Sequence, residues 1–492
     1  MALGGIGTWL KGLVRRQSQD GQRLPILMLL NYSLPALVTS IVIVPVIAVL
    51  PTIYEKYYAV NFAALGIAMA LSRGMDAVVD PVIAYLSDKT NTPIGSRKPW
   101  IIAGGILSVI GCYFLYMPQS KPGALYFLIW SSVVYFAWSM MTVPYDAWGA
   151  ELSGDYEERA RISTYKGMIG AIGSIAFLGA PIFLSAFFGF KSTEMTPEVM
   201  RIVGLSVIIL LPFSLILLVL WVPQAKVVTT TNVGVVDTFR AVMFNRPYQV
   251  FLLVFGVQGL ALGIYAALLL PFMSGYLLIP AKFSWLMIVT AGASFISTPA
   301  WLWACKVMGK HQAWAVGSAL TNITIVGWLF VAPGPSSFVP SLIISALYGL
   351  FSTCAAVCYP AILGDINDYV ILKTGSNRTG THFAGVALLV KLTSAVGGGL
   401  ALALVGFFGF STEATVAPHG WAKFGILFTF IGLHTFLQLV AAAMILKFPL
   451  NRKKHDIIRK RLDQRAARQK RIEPATAGAA VAAPLTIAPD PA

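Results

Sequence analysis

The sequence predicts an all-α membrane protein with about twelve transmembrane helices, arranged as two six-helix repeats. Composition is the first observation behind this prediction. Of 492 residues, 57% are hydrophobic and 11% are charged, whereas a soluble globular chain carries about 25% charged residues. A bilayer core needs about 20 apolar residues per helix, and such runs recur from Ile26 to Lys447. A soluble protein is therefore excluded.

The apolar runs define the expected helices. In chain order they begin near Ile26, Val60, Pro99, Ala124, Ile162, Met200, Gln249, Phe283, Ala313, Phe338, Phe383 and Trp421. Residues 1–24 lack a compact apolar core with a cleavage site, so the first run is expected to be a retained helix. The expected organisation is an N-terminal segment at 1–24, a bundle at 25–223, a central loop at 224–247, a second bundle at 248–447 and a tail at 448–492.

Basic residues predict the orientation of the chain. The net charge is +16, and ten of the 36 Lys and Arg lie between Arg452 and Arg471, directly after the last apolar run. The loops 87–98, 224–247 and 306–311 are also basic, whereas the alternate loops carry one basic residue or none. Because positive charge favours the cytoplasmic side, we expect both termini to be cytoplasmic. The expected partners are the bilayer and a small-molecule substrate, not nucleic acid, and the expected state is a monomer.

The two halves of the chain also resemble one another. Asp80-Pro81 precedes a basic loop in the first half, and Thr298-Pro299 precedes Lys306–Lys310 in the second. Pro144 and Pro360 are each followed by a group of acidic and basic residues. Related second and fourth helices are expected of a major facilitator transporter, in which the substrate site lies between two parallel halves.

Two acidic residues in the second apolar run predict a cation site. Asp76 and Asp80 interrupt the apolar stretch 62–86, where a charge costs at least about 2.5–3.5 kcal/mol. Their spacing from Arg73 places all three on one helical face. One arginine cannot neutralise two aspartates, so a coupling cation is expected, either sodium on oxygen ligands or a proton. No other metal or cofactor is expected. The alternative is an Arg-Asp network that only stabilises helix packing.

Lys391 stands alone in the eleventh run. We expect it to face the interior and to pair with the aspartates or with an anionic group of the substrate; the alternative is a side chain that reaches the membrane interface. The fourth run combines aromatic, hydroxyl and acidic side chains, which suit sugars and other amphiphiles but also occur in interfacial aromatic belts. The candidate substrate-binding residues are Tyr135, Trp138, Ser139, Thr142, Tyr145 and Asp146.

Two loops of mixed charge, 87–98 and 151–161, are expected to form a gate at the cytoplasmic mouth. Arg97 and Lys98 are candidates to pair with Asp155 or Glu158 when that side is closed. Orientation by positive charge is the alternative role. The four cysteines lie in or beside apolar segments without a CxxC motif, so neither a disulfide nor a metal role is expected of them.

With these residues placed, the chain resembles the glycoside-pentoside-hexuronide:cation symporter family over nearly its whole length. The matching motifs are Arg73-x-x-Asp76-Ala77-x-x-Asp80-Pro81, Asp88-Lys89-Thr90, Gly95-x-Arg97-Lys98-Pro99-Trp100, Val143-Pro144-Tyr145, Glu158-Arg159, Asp365-x-x-Asp368-Tyr369, Lys373-Thr374-Gly375 and Lys391. The resemblance implies a major facilitator fold and a bacterial inner membrane location. It implies that Asp76 and Asp80 bind the cation and that Lys391 is a coupling lysine.

Two positions depart from the pattern of melibiose permease, a member of that family. Val79 stands where that protein has an asparagine ligand, which weakens the case for sodium and strengthens that for a proton. Thr142 stands where it has a sugar-binding aspartate, which argues against melibiose as the substrate. Asp146, one turn away, is a possible substitute.

The resulting functional prediction is a secondary active transporter that symports a glycoside or related solute with a cation. A eukaryotic branch resembling this family carries lysophospholipids, so an amphiphilic lipid is the alternative solute. An enzyme is the remote alternative, because Asp76-x-x-x-Asp80 and Asp365-x-x-Asp368 superficially resemble the magnesium motifs of intramembrane prenyltransferases. Against it, the second motif is expected in a cytoplasmic loop rather than in a helix, and such an enzyme needs no repeated halves.

Overall fold

A computed structural model describes residues 23–119, 121–153, 155–223, 245–374, 379–413, 416–450 and 454–465. Within these ranges, twelve helices are long and apolar enough to cross a membrane. The helices of the first half are α1 Ile26–Ala48, α2 Phe62–Lys89, α3 Lys98–Tyr116, α4 Ala124–Glu151, α5 Glu157–Phe188 and α6 Pro197–Trp221. Those of the second half are α7 Arg246–Tyr276, α8 Pro280–Val307, α9 Lys310–Phe330, α10 Pro335–Thr374, α11 His382–Phe407 and α12 Gly420–Leu446. The predicted fold class is confirmed.

The largest displacement between a predicted and an observed helix start is at α5. The apolar run begins near Ile162, whereas the helix already begins at Tyr156, one residue before the span given for α5. Its first turn is charged and is capped by Asp155, whose carboxylate accepts a hydrogen bond from the Glu158 backbone N–H at 2.9 Å. Hydropathy does not detect such a turn, because capping and the helix dipole favour acidic residues there. The predicted loop 151–161 is correspondingly shorter in the structure.

The prediction that Asp365 and Asp368 lie in a loop is wrong. Both are part of α10, which continues to Thr374, well beyond its apolar stretch. The extension stays helical because residues 361–374 contain no proline and their acidic side chains find partners on one face. Lys310 Nζ lies 2.7 Å from Asp365 Oδ1, and Arg459 Nε lies 3.0 Å from Asp368 Oδ2.

Helix packing repeats between the halves with an offset of six. In the first half α1 packs on α5 and α6, α2 on α4, and α3 on α4 and α6. In the second half α7 packs on α11 and α12, α8 on α10, and α9 on α10 and α12. The two largest contacts that join the halves, α2 with α11 and α5 with α8, are related by the same offset. The weak sequence similarity thus reflects a real structural repeat, as expected of two parallel halves.

Two shorter helical pieces complete the described part. The helix Leu50–Tyr58 follows α1 at the end of the molecule opposite to the start of α1. Residues 454–465 form a helix after α12, and its Ile458 joins the core of the second half. We call the end that carries this helix and the start of α1 the basic end, and the other the outer end. The predicted segments 1–24 and 224–247 lie almost entirely outside the described residues.

Candidate substrate and cation site

A lysine bridges the two predicted cation-site aspartates across the interface between the halves. Lys391 on α11 places its Nζ 2.7 Å from Asp76 Oδ2 and 2.6 Å from Asp80 Oδ2, both on α2. The Asp76 side chain is fully buried, and the side chains of Lys391 and Asp80 are each 19% exposed. Lys391 therefore does not extend to the membrane interface. Its ammonium forms ion pairs with two carboxylates inside the bundle.

The oxygen atoms around this bridge are suited to a small hard cation. Ser139 Oγ on α4 donates a hydrogen bond to Asp76 Oδ1, and Lys391 Nζ lies 3.4 Å from the same hydroxyl. Asp80 Oδ1 is buried without a hydrogen-bond partner among the described residues. Carboxylate and hydroxyl oxygens are ligands that hard cations accept, and an unpaired buried carboxylate oxygen is costly. Ser139, expected to bind substrate, thus belongs to the aspartate cluster.

Arg73 does not balance the aspartates as expected. Its guanidinium lies 5.4 Å from the centre of the Tyr135 ring, and within the described ranges it forms no ion pair. Helical spacing places Arg73 and Asp76 on one face, but it does not determine the direction of a long side chain. The charges in direct contact are therefore two carboxylates and one ammonium, which leaves one negative charge in excess.

A cavity of about 930 Å³ opens beside this cluster. Its walls come from the basic-end portions of α1, α4 and α5, with Tyr359 of α10 and Phe383 of α11 facing them from the second half. The polar and aromatic wall residues are Tyr32, Thr39, Ser40, Trp138, Thr142, Asp146, Arg159, Ser163, Lys166, Ser174, Tyr359 and Phe383. Trp138 joins the cavity to the charge cluster, because the Lys391 ammonium lies 4.8 Å from its ring centre.

Of the six predicted substrate residues, Trp138, Thr142 and Asp146 line the cavity. Asp146 pairs with Lys166 of α5, so it cannot act there as an isolated acid. Tyr145 and Tyr135 are buried elsewhere. Tyr145 stacks on Tyr32 with ring centres 4.7 Å apart, and each hydroxyl donates to the backbone carbonyl of the other residue. This pair stabilises the packing of α1 on α4, so we assign Tyr145 a structural role.

Two cationic wall residues were missing from the prediction. Arg159 and Lys166 both line the cavity and are seven residues apart on α5, a spacing that puts them on one helical face. This seven-residue spacing is the feature of the sequence from which the pair could have been predicted. Arg159 Nε donates to the Ser153 carbonyl oxygen at 2.7 Å, which fixes the start of its side chain beside the basic end.

The predicted gate residues interact within their own half. Arg97 pairs with Asp88 and with Glu151, its Nη2 lying 2.6 Å from Glu151 Oε1. Lys98 Nζ donates to the Val219 carbonyl oxygen at 2.9 Å, and Glu158 pairs with Arg161 at 2.7 Å. The predicted pairs with Asp155 or Glu158 are not formed in this structure. They concerned a closed basic end and stay a prediction for that state.

The ion pair of Arg97 has a counterpart in the second half. Lys310 at the start of α9 pairs with Asp365 of α10, as Arg97 before α3 pairs with Glu151 of α4. At the basic end, each half thus holds its third and fourth helices together by charge. No ion pair among the described residues joins the two halves there.

We expect Arg97→Glu to slow uphill transport about tenfold or more, because a new carboxylate at this buried position would face the carboxylates of Glu151 and the more exposed Asp88. Initial uptake rate and reagent access to the cavity from the basic end measure the effect. Lys89→Glu is the matched control, since Lys89 lies on the same surface and, among the described residues, contacts the Tyr85 ring and forms no ion pair. If neither rate nor access changes in Arg97→Glu, the residue serves membrane orientation alone.

Contacts between the halves concentrate at the outer end. Glu55, buried in the short helix Leu50–Tyr58, accepts a hydrogen bond from the Thr412 backbone N–H at 2.9 Å and another from the Thr412 hydroxyl. Burial raises the pKa of the Glu55 carboxyl, and the hydrogen bonds from Ser411 and Thr412 oppose that rise. Gly66 of α2 meets Gly399 of α11 so closely that a Cβ on Gly66 would lie 2.4 Å from the Gly399 carbonyl oxygen. The outer end is closed and the cavity faces the basic end.

Glu55→Ala is expected to raise the exposure of the outer end about tenfold, because the hydrogen bonds that a buried carboxylate makes across the halves are lost. Reaction of a cysteine introduced beside Gly399 with an impermeant thiol reagent measures this. Glu413→Ala removes a carboxylate next to Thr412 on the other side of this contact, where the side chain is exposed, and should leave labelling unchanged. Equal labelling of Glu55→Ala and the parent would show that the contact between Glu55 and Thr412 does not keep the outer end closed.

Two related six-helix halves that enclose a charged cluster and a polar cavity define a secondary transporter of the major facilitator type. The chain belongs to the MFS/sugar transport protein family, which matches residues 31–452.

Individual relatives have low sequence identity to this chain, but the alignments cover most of its length. The inner membrane symporter YicJ of Escherichia coli K12 is 22% identical over 358 residues, 70% of this chain and 75% of that protein. The sodium-dependent lysophosphatidylcholine symporter 1-B of Danio rerio is 22% identical over 438 residues, 81% of this chain and 82% of that protein. The solved nucleoside transporter NupG has the same fold, with a TM-score of 0.62, 16% identity, and coverage of 85% of this chain and 98% of that one.

Proposed function

We propose that this transporter couples the movement of a cation, a proton or sodium, to uptake of a glycoside or a related small organic solute. The basic end is cytoplasmic and the membrane is a bacterial inner membrane, in keeping with the basic loops at that end. The observation that carries the proposal is the Lys391 bridge between Asp76 and Asp80, which leaves one carboxylate charge in excess beside the cavity.

Coupling follows from how that excess is balanced. A cation that binds between Asp76 and Asp80 supplies the missing positive charge and competes with Lys391 for their oxygens, so the ammonium can turn toward the cavity over Trp138. A substrate hydroxyl or anionic group there accepts its hydrogen bonds. With the cation alone, the displaced ammonium has no acceptor in the low dielectric, and with substrate alone the two carboxylates lose the ammonium that holds them; either state costs several kcal/mol. Reorientation is therefore favoured with both ligands bound or with neither.

The cavity supports a polar solute of sugar size. Aromatic faces from Trp138, Tyr359 and Phe383 offer stacking surfaces, and the Asp146-Lys166 pair with Arg159 offers hydrogen bonds to hydroxyls. Its volume of about 930 Å³ is at the upper end of small-molecule pockets, which span roughly 300–1,000 Å³. The family's description as sugar transport proteins points the same way.

A lysophospholipid is the second candidate, because a sodium-dependent lysophosphatidylcholine symporter aligns with 81% of the chain. The cavity size admits a headgroup. The charged wall formed by Asp146, Arg159 and Lys166 opposes an acyl chain at that position, so the glycoside is preferred.

The test is uptake by the purified protein in sealed vesicles with a proton gradient, a sodium gradient or neither. A panel of labelled glycosides and a panel of lysophospholipids are offered under each condition. We expect a glycoside to accumulate under one gradient and to equilibrate only without it. Accumulation of lysophospholipids alone would transfer the assignment to the second candidate, and no gradient-dependent accumulation of any member would refute symport of these solutes.

A further inference from the structure

The C-terminal helix, residues 454–465, is held against the basic end of the second half by both packing and charge. Ile458 is 7% exposed and packs into the core, and Leu462 lies beside it one turn on. His455 Nε2 lies 3.1 Å from Asp368 Oδ2, and Arg459 pairs with the same carboxylate. The helix is therefore a docked element of the fold, and its position relative to α10 is defined.

Between this helix and the end of α10 lies a cleft of about 570 Å³. Its walls are formed by Tyr369, Leu372, Lys373, Arg461, Gln464 and Arg465. Three of these six residues are cationic and none is acidic. Arg465 Nη1 donates to the Leu372 carbonyl oxygen at 2.5 Å, which holds its guanidinium in the cleft. Lys373 and Arg461 make no ion pair within the described part of the chain.

The two acids of α10 near the cleft do not neutralise it, because Asp365 and Asp368 are already occupied, and Asp463 of the C-terminal helix is not a wall residue. Asp365 pairs with Lys310 and with His455, and Asp368 pairs with His455 and Arg459. The fold therefore pairs Asp365 and Asp368 on one side of the helix and leaves three cations around the cleft on the other. Such a basic pocket at the membrane surface favours an anion.

We propose that this cleft binds the phosphate-bearing headgroup of an anionic phospholipid. The three cations contact the phosphate, with Arg461 and Arg465 offering the planar donor geometry that suits it. Leu372 and Tyr369 supply an apolar wall beside the cations, which fits the glycerol and the first acyl carbons and distinguishes a lipid from free phosphate. The cleft is separate from the transport cavity, whose walls come from α1, α4, α5, α10 and α11, so this proposal does not depend on the substrate.

The full-length protein in detergent is titrated with phosphatidylglycerol and, separately, with phosphatidylcholine of the same acyl chains, and bound lipid is counted by native mass spectrometry. The parent is expected to prefer phosphatidylglycerol. The triple variant K373Q/R461Q/R465Q should bind phosphatidylglycerol about a hundredfold more weakly, since each basic group near a membrane surface contributes about fivefold. Its affinity for phosphatidylcholine should not change.

The control K306Q/K447Q/K460Q removes the same charge from exposed positions at the same end, outside the cleft. It should keep the preference, and an equal loss in this control would reduce the effect to general surface charge and overturn the site. The variant K373R/R461K/R465K keeps all charges but loses the two planar donors, so it should bind a few-fold more weakly than the parent and far more tightly than the triple glutamine variant; a loss as large as in the glutamine variant would mark a folding effect and also overturn the site. Displacement of the lipid by inorganic phosphate at similar concentration would make this a free-anion site and refute the lipid.

Discussion

Replacement of Asp76 or Asp80 by asparagine is expected to abolish cation-driven accumulation, a loss of at least about a hundredfold in uphill uptake. Asparagine keeps the shape of the side chain but removes the negative charge that attracts a cation and accepts a proton. Both carboxylates also hold Lys391, at 2.7 and 2.6 Å, so each variant leaves the ammonium with one charged partner. Uptake against a substrate gradient, with and without an imposed cation gradient, measures the loss.

Exchange of substrate at equal concentrations across the membrane is the internal control, because it needs binding and reorientation but no cation gradient. Retained exchange with lost accumulation would place the defect in coupling. Ser139→Ala offers a graded comparison: it removes one neutral donor to Asp76 and should weaken cation affinity less than loss of a carboxylate. Unchanged uphill transport in both aspartate variants would remove these residues from the coupling site.

Lys391→Ala is expected to destroy the fixed ratio of cation to substrate. Without the ammonium, Asp76 and Asp80 retain two adjacent buried charges, and a cation becomes necessary to balance them whether or not substrate is present. Cation uptake should then continue without substrate. Parallel measurement of labelled cation and labelled substrate in the same vesicles gives the ratio.

Lys391→Arg is the matched variant for this experiment, because it keeps the charge and changes the headgroup. It should preserve coupling at a reduced rate, since a planar guanidinium cannot reproduce the contact of one Nζ with both carboxylates. A constant ratio in Lys391→Ala would identify the lysine as a packing residue, and the exchange of partners would be wrong.

The fold could be predicted largely from the sequence because the bilayer restricts what a spanning segment can be. Each apolar run became one helix, and the largest displacement of a start, at α5, arose where a charged turn lies outside the apolar run. The α10 extension carrying Asp365 and Asp368 was missed for the same reason. Hydropathy indicates where the chain leaves the hydrocarbon core of the membrane. A helix ends where its backbone groups no longer find intrahelical hydrogen-bond partners, and the two positions differ.

The candidate site was predictable only where charge is costly. Asp76, Asp80 and Lys391 were evident because each interrupts an apolar run, and their mutual contact adds geometry to that expectation. Aromatic residues on α4 gave no such distinction: Trp138 faces the cavity, while Tyr145 faces Tyr32. Side chains on different faces of α4 contact different neighbouring helices. Which of them face the cavity depends on how α1 and α5 pack against α4.

The close approach of Gly66 and Gly399 bears on where the molecule pivots. Asp76 lies ten residues from Gly66 along α2, a lever of about 15 Å in an α-helix. When one half rocks against the other about a central axis, a rotation of about 20° centred near Asp76 would part the glycine contact by about 5 Å and shift the aspartate itself very little. The ion in such a carrier hardly travels. Water would reach the ion from alternate sides of the membrane while the ion stays near the axis. In each turnover the helices around the cavity would therefore move, and the binding site would stay almost in place.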